Sequence, residues 1–449
     1  MSGDRQPNIL FIITDQLHID AMSGAGCAYV NTPAMDSLCA SGVRFTQSHC
    51  TYPVCGPSRS ALFSGRMPSE LRTSNEGKGI PRSVPNLGQW FREHTDYETV
   101  YAGKWHLPTS GTFNIPGFLV LTGGDGRQGD IGDRVVSRAC ERFLRERDAE
   151  RPFLLVASFL QPHDICAWIR MHEHRMNEPL YPEIQAELPE LPNNFTFAVK
   201  EPEIAKDVRH YSRAPHYANW SVDNWRYYMW SYYREVEMVD AYIGNVLGAL
   251  QESGYGDNTL VVFTSDHGEG LARHQSILKS SPYDEAIKVP LIVSFPGRWE
   301  GGRVDETHLV SGVDLLPTMC DFAEIETPPG VVGASLRPLL EVGGAVSGER
   351  AREVEVLGEC GLSGAEEGAK VPWRSFVGVE TSGDKGRVIR SERYKYVKYL
   401  NDPVEMLYDM EGDRQETRNL AEEEGFAGIL EAHREMLKAW DGRLKVVTG

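Results

Sequence analysis

No Cys-x-x-Cys pair occurs in the chain, and its eight cysteines, at 27, 39, 50, 55, 140, 166, 320 and 360, are widely scattered. Such spacing argues against a structural zinc site and against a disulfide framework, and leaves most of them as small, buried, reduced side chains. Positive charge is in deficit: 46 lysines and arginines stand against 64 acidic residues, a net charge of −18. A field of that sign repels nucleic acid and anionic membranes, so neither is an expected partner, and an anionic substrate would need a locally positive pocket. No apolar run approaches the ~20 residues of a membrane span. The opening "MSGDRQP" has neither the basic leader nor the small-residue cleavage site of a signal peptide. The expected location is therefore cytoplasmic, with an exported form still open should the chain be trimmed. Internal repeats and low-complexity tracts are also missing.

What is present is an alternation. "NILFIIT", "ETVYAGKWH", "PFLLVASF", "TLVVFTSDHGE" and "VPLIVSFPG" are short β-rich apolar runs. Between them, "VVSRACERFLRE" and "YYREVEMVDAYIGNVLGALQESG" carry apolar residues at helical spacing. The pattern predicts an α/β fold: a large central, mixed but mainly parallel sheet flanked by helices. With 449 residues the chain also has room for a smaller second unit. "RSFVGVET", "GRVIRSERYKYVKYL" and "EMLYDM" predict a small antiparallel sheet, and "GILEAHREMLKAW" a closing helix. A Gly/Ala/Glu-rich stretch sets the expected division at a catalytic domain, 1–345, and a C-terminal α+β subdomain, 346–449.

Ligands of such sheets lie beyond the carboxyl ends of the strands. The polar residues there are Asp15 and Gln16, Lys104 and His106, His163 and Asp164, and Asp266 and His267. Lys104 and His106 alternate on an extended segment, which predicts that both face one side and Trp105 the other. The stretch from Ile165 to Trp230 is Pro-rich and holds Trp168, Trp220, Trp225 and Trp230 among histidines and arginines, which suggests a long excursion walling the site.

"PVCGPSRSALFSGR", Pro53 to Arg66, predicts a helix starting near Pro57 and ending at Gly65. Cys55 then sits at the positive end of the helix dipole, where a thiolate or oxyanion is favoured. Arg59 is within reach of the same turn.

The stretch "CGPSR" followed by "SALFSGR" resembles the signature of type I sulfatases, members of the alkaline phosphatase superfamily. "PNILFIITDQ", "YAGKWHL", "SFLQPHD", "TSDHGE", "HQSILKSSPYDEAIKVPLIV" and "LVSGVDLLPT" agree with it in order and spacing. The resemblance implies hydrolysis of a sulfate monoester on a sulfated carbohydrate, with Cys55 oxidised to Cα-formylglycine by a separate formylglycine-generating enzyme. A hydrated aldehyde places two hydroxyls on one carbon: one attacks sulfur, and the other later collapses to expel sulfate. It further implies a single divalent metal held by Asp15, Gln16, residue 55, Asp266 and His267. Calcium is the first expectation, but Gln16 and His267 stand where Asp and Asn are commoner, which keeps manganese and magnesium open. The same pairing resembles choline sulfatases and phosphonate monoester hydrolases. By the resemblance Lys104 contacts sulfate, His106 acts as base on the formylglycine hydroxyl, His163 and Lys279 bind sulfate and protonate the leaving oxygen, and Arg59 holds the hydrate. Substrate contacts are expected from His274, Trp168, Arg170, Arg175, Trp220 and Arg226, since aromatic faces stack on sugars and guanidinium groups meet carboxylates or sulfates. Two alternatives stand beside this reading: a phosphonate or phosphate ester hydrolase, and a non-catalytic binding homologue whose Cys55 stays a thiol.

Overall fold

The computed structural model describes residues 6–447 except 75–77, 109–112, 125–127, 148–150, 173–181, 197–199, 211–216, 218, 342–372 and 383–384. The expected domain boundary, and Arg175 with it, lie outside the described residues. Among the described residues fourteen strands run: β1 Asn8–Thr14, β2 Gly42–Phe45, β3 Ser48–His49, β4 Glu98–Lys104, β5 Leu119–Gly124, β6 Phe153–Ser158 and β7 Thr259–Ser265. They continue as β8 Leu291–Ser294, β9 Arg303–Asp305, β10 Val310–Ser311, β11 Phe376–Thr381, β12 Gly386–Ser391, β13 Tyr394–Tyr399 and β14 Glu405–Asp409.

The main sheet has eight strands in the order β5-β4-β6-β1-β7-β8-β2-β9. β5, β4, β6, β1 and β7 are mutually parallel; β8 runs antiparallel to β7 and to β2. The sheet is thus mixed and mainly parallel, and β11–β14 form a separate four-stranded antiparallel sheet. Helices cover both faces of the main sheet, so β1 is buried at every position and its sequence is continuously apolar from Ile9 to Ile13. Leu10 and Ile12 face the helices Gly129–Glu146 and Val222–Glu252, while Ile9, Phe11 and Ile13 face Leu62 and Phe63 of the helix Cys55–Ser64. The small sheet packs its Val379, Val388 and Val397 against Tyr283, Ile287 and Val289, in the segment leading into β8. Because four neighbouring parallel strands, β4, β6, β1 and β7, end on one edge, the residues following them converge.

Among the described residues every cysteine is free. No described helix is long and apolar enough to cross a membrane.

Candidate active site

The helix Cys55–Ser64 begins at Cys55 itself, two residues before the predicted start, with Val54 extended as its N-cap. It ends where Gly65 enters the left-handed region at φ 68° and returns its N–H to Ala61 O at 2.8 Å. Cys55 therefore lies in the first helical turn, among donors that have no intrahelical partner.

Four residues from three segments meet there. Asp15, Cys55, Asp266 and His267 are all buried and offer ligand atoms within 4.8 Å of one another. Cys55 Sγ is 3.1 Å from His267 Nε2 and 3.7 Å from Asp15 Oδ1. Each carboxylate is divided between two tasks. The Oδ2 of Asp15 accepts from Lys104 Nζ and, at 3.3 Å, from Arg59 Nη2; the Oδ2 of Asp266 accepts from Arg59 Nε at 2.7 Å. The Oδ1 atoms face the cluster, 3.9 and 3.6 Å from His267 Nε2, and that of Asp266 also accepts from Gln16 N and His267 N. His267 Nδ1 donates to Gly268 O at 2.9 Å, so the lone pair of a neutral ring points inward from Nε2. Gln16, held at φ 72°, adds Oε1, which accepts from Lys279 Nζ at 2.7 Å. Two carboxylate oxygens, an imidazole nitrogen and residue 55 converge on one small volume, and the Gln16 amide oxygen reaches its edge through Lys279; this donor set fits a divalent cation.

Arg59 is fully buried and ties this floor together, because its Nη1 also donates to Lys104 O at 2.9 Å and Ser158 Oγ at 2.8 Å. Lys279 Nζ stands 3.0 Å from Cys55 Sγ, and His106 lies near enough to favour the ionised form of that side chain. Burial pushes the Cys55 thiol up, but Lys104, Lys279 and His267 outweigh it and hold the group well below its ordinary value. Burial likewise opposes charge on His163, yet Asp15 raises its imidazole to about 10. For Lys279 the burial penalty is overcome by Cys55 and Asp15, which push the ammonium up. In His267 burial pulls down and Asp266 pushes up, with a net rise.

The sulfatase family profile matches residues 7–325. The chain belongs to the sulfatase family. It is 32% identical to the Delta 4,5-hexuronate-2-O-sulfatase of Bacteroides thetaiotaomicron, over 99% of this chain and 90% of that one. A solved 2-O GAG sulfatase superposes with a TM-score of 0.82 at 29% identity, covering 98% of this chain and 93% of the other. The phosphonate monoester hydrolase of Agrobacterium radiobacter shares the fold, with a TM-score of 0.74 at 22% identity over 97% and 96% of the two chains. The protein is accordingly an enzyme of the sulfuric ester hydrolase class.

In this sulfatase β4 stops at Lys104, two residues short of the predicted strand. Trp105 enters the core against Phe63, with ring centroids 4.8 Å apart, and His106 turns into the left-handed region at φ 59° with an exposed side chain. A turn, rather than the alternation of an extended strand, brings both Lys104 and His106 to the site. Gly103 makes the turn possible: its φ is 104°, and a Cβ there would lie 1.9 Å from Ser158 O. Gly103→Ala is expected to cost about 2–3 kcal/mol in urea unfolding and to lower kcat by moving Lys104. Unchanged unfolding would contradict this account of the turn.

The residues expected to touch substrate fare differently. Trp168 is 8% exposed and stacks on His172, and Trp220 packs against Trp168, Trp225 and Tyr228, so both belong to an aromatic core under the excursion rather than to a free stacking face. Arg226 donates to Leu188 O and Pro189 O and pairs with Asp223, which commits its guanidinium to holding the loop. His274 has one ring nitrogen on Glu285 Oε1 at 2.8 Å and the other 3.3 Å from Glu416 O, and its face is stacked on Tyr283, leaving no edge for a ligand. Arg170 is exposed in the last turn of the helix Ile165–His172. Asp164 accepts from Gly129 N and Asp130 N, capping the helix Gly129–Glu146.

Sequence reasoning missed Ser158 and Glu269. Ser158 is the last residue of β6 and bridges Arg59 and Lys104. Glu269 is fully buried beside Gln16; its one sequence signal is its place in "TSDHGE".

Proposed function

We propose that this sulfatase hydrolyses a sulfate monoester on a uronate-containing carbohydrate, with residue 55 as its nucleophile. The observation that carries the reading is the seat of Cys55 Sγ, 3.0 Å from Lys279 Nζ and 3.1 Å from His267 Nε2 at the start of a buried helix. In that seat Sγ stands in for the oxygen substituents of a Cα-formylglycine, installed by a formylglycine-generating enzyme and supplying a geminal diol as nucleophile. Asp15, Gln16, Asp266 and His267 would hold one divalent cation, whose charge offsets that of the sulfate; calcium remains the first expectation, with manganese and magnesium open. Lys104 and Lys279 add fixed positive charge where the sulfate oxygens lie. His106, beside residue 55, is the base that accepts its proton. His163, whose imidazole is pushed up to about 10, carries a proton to deliver to the departing sugar oxygen. Arg59 keeps the two carboxylates apart and screened. Support for the carbohydrate class comes from the hexuronate-2-O-sulfatase that the chain resembles along nearly its whole length.

The experiment is a parallel turnover assay on enzyme matured in a host with the modifying system. A Δ4,5-unsaturated uronate 2-sulfate disaccharide, an aryl sulfate and an aryl phosphonate are the three substrates. Release of sulfate from the disaccharide, at a kcat/KM at least tenfold above the other two, is expected. Dominant phosphonate cleavage would replace this reading with the phosphonate hydrolase one. A persistent thiol at residue 55 in the native host, with no turnover, would leave a binding homologue.

A further inference from the structure

Gln16 is the one expected ligand with two chemically opposite ends, since its amide oxygen can bind a cation and its NH2 group cannot. Something must decide which end faces the site. Cys166 does not, because its Sγ lies 3.5 Å from Gln16 Nε2 and 3.6 Å from Oε1. On the far side stands Glu269, a buried carboxylate that only accepts. Its Oε2 takes the hydrogen bond from Gln16 Nε2, and its Oε1 takes those of the Tyr228 hydroxyl and the Leu278 N–H. The Gln16 main chain is pinned independently, with its N–H on Asp266 Oδ1 at 3.1 Å and its carbonyl accepting from Tyr232 OH at 2.7 Å. With the backbone fixed, only the terminal amide is free to turn over.

We propose that Glu269 is a positioning residue that fixes the orientation of the Gln16 amide, so that its oxygen faces the cation site. The proposal rests on the reading of Gln16 as a ligand given above. It follows from a count of donors and acceptors. A flipped amide would set Oε1 against the Glu269 carboxylate and the NH2 group against the Lys279 ammonium, two repulsive contacts in place of two hydrogen bonds. Glycines at 268 and 270 let the chain bring Glu269 this close: a Cβ at 268 would lie 2.1 Å from Glu285 O, and one at 270 would lie 2.8 Å from Ser276 O. Tyr228 links this contact to the aromatic core formed by Trp168, Trp220 and Trp225.

The inference predicts a reversal between two substitutions, read as Ca2+ and Mn2+ affinity by calorimetry on chelator-stripped full-length protein. Glu269→Gln keeps the size of the side chain and an oxygen for Tyr228 and Leu278, but presents an NH2 group to Gln16. The Gln16 amide must then turn its own NH2 group towards the cation, and affinity is expected to fall about 10–100-fold. Adding Gln16→Glu restores the match, because a carboxylate at 16 accepts from the new amide at 269 and aims its second oxygen at the cation. Affinity should recover to at least that of the unaltered protein. Gln16→Glu alone faces Glu269 with a second carboxylate, and the pair must share a proton, so it should bind no tighter than the unaltered protein. Unchanged affinity in Glu269→Gln overturns the proposal, as does failure of the double variant to recover. Should Glu269→Gln fail to fold, a gain of tenfold or more in Gln16→Glu alone overturns it. If the unaltered protein takes up neither cation, the cation reading itself fails, and a result in the variants alone cannot produce that outcome.

Discussion

Cys55→Ser is expected to bind substrate normally and to release at most one sugar product per enzyme molecule. The serine hydroxyl occupies the same seat in the first turn of the helix Cys55–Ser64, beside Lys279 and His267, so the first displacement remains open to it. It lacks the second hydroxyl on the same carbon, so no internal collapse expels the sulfate and the ester persists. Steady-state kcat should fall by about 10⁴-fold or more, the usual scale for losing a nucleophile that acts as part of a unit. A stoichiometric burst followed by no turnover, with intact mass increased by one sulfo group, is the expected signature. Sustained turnover by this variant would rule out the geminal-diol chemistry.

The second large effect concerns stability. Arg59→Ala removes a fully buried guanidinium whose donors serve Asp15, Asp266, Lys104 O and Ser158 Oγ. Two carboxylates then stay buried with less charge to balance them, which is the situation in which breaking a buried pair costs about 3–5 kcal/mol. Arg59→Lys restores the charge but lacks the planar fork, and is expected to recover only part of the loss. Chemical unfolding in urea measures both variants, and wild-type stability in Arg59→Ala would show that the carboxylates do not depend on it. An excess of Ca2+ is expected to narrow the gap, because carboxylates relieved of Arg59 hold a cation more tightly and so gain more stability from it by mass action.

The central strands were legible because parallel strands buried on both faces must be near-continuously apolar, as Ile9–Ile13 of β1, Phe153–Ala157 of β6 and Leu260–Phe263 of β7 are. β5 was not, since it is a partly exposed strand of the sheet edge, "LVLTGG", with Leu119 57% exposed and two glycines at its end. β2 and β9 were missed for a related reason: four- and three-residue strands carry too little pattern to separate from loops. The site was legible at the strand ends, where Asp15, Lys104 and Asp266 follow apolar runs that the parallel topology brings to one edge. Glu269 was hidden because its role depends on Tyr228, 41 residues earlier, and on a loop amide that folds back onto it. The tryptophans of the excursion carried no signal able to separate a sugar platform from a core, and packing decided for the core at Trp168 and Trp220.

Between Leu271 and Ser280 six non-glycine residues, Leu271, Ala272, His274, Gln275, Leu278 and Ser280, hold positive φ. Each carries a penalty on the order of 1 kcal/mol or more, and the surrounding contacts, such as Ser280 N on Pro53 O at 3.0 Å and His274 N on Asn194 O at 2.9 Å, hold the segment in place. Lys279 rides on this segment. Its ammonium is thus a stationary electrode, fixed while the chain folds, and an arriving anion meets a field that needs no rearrangement to receive it.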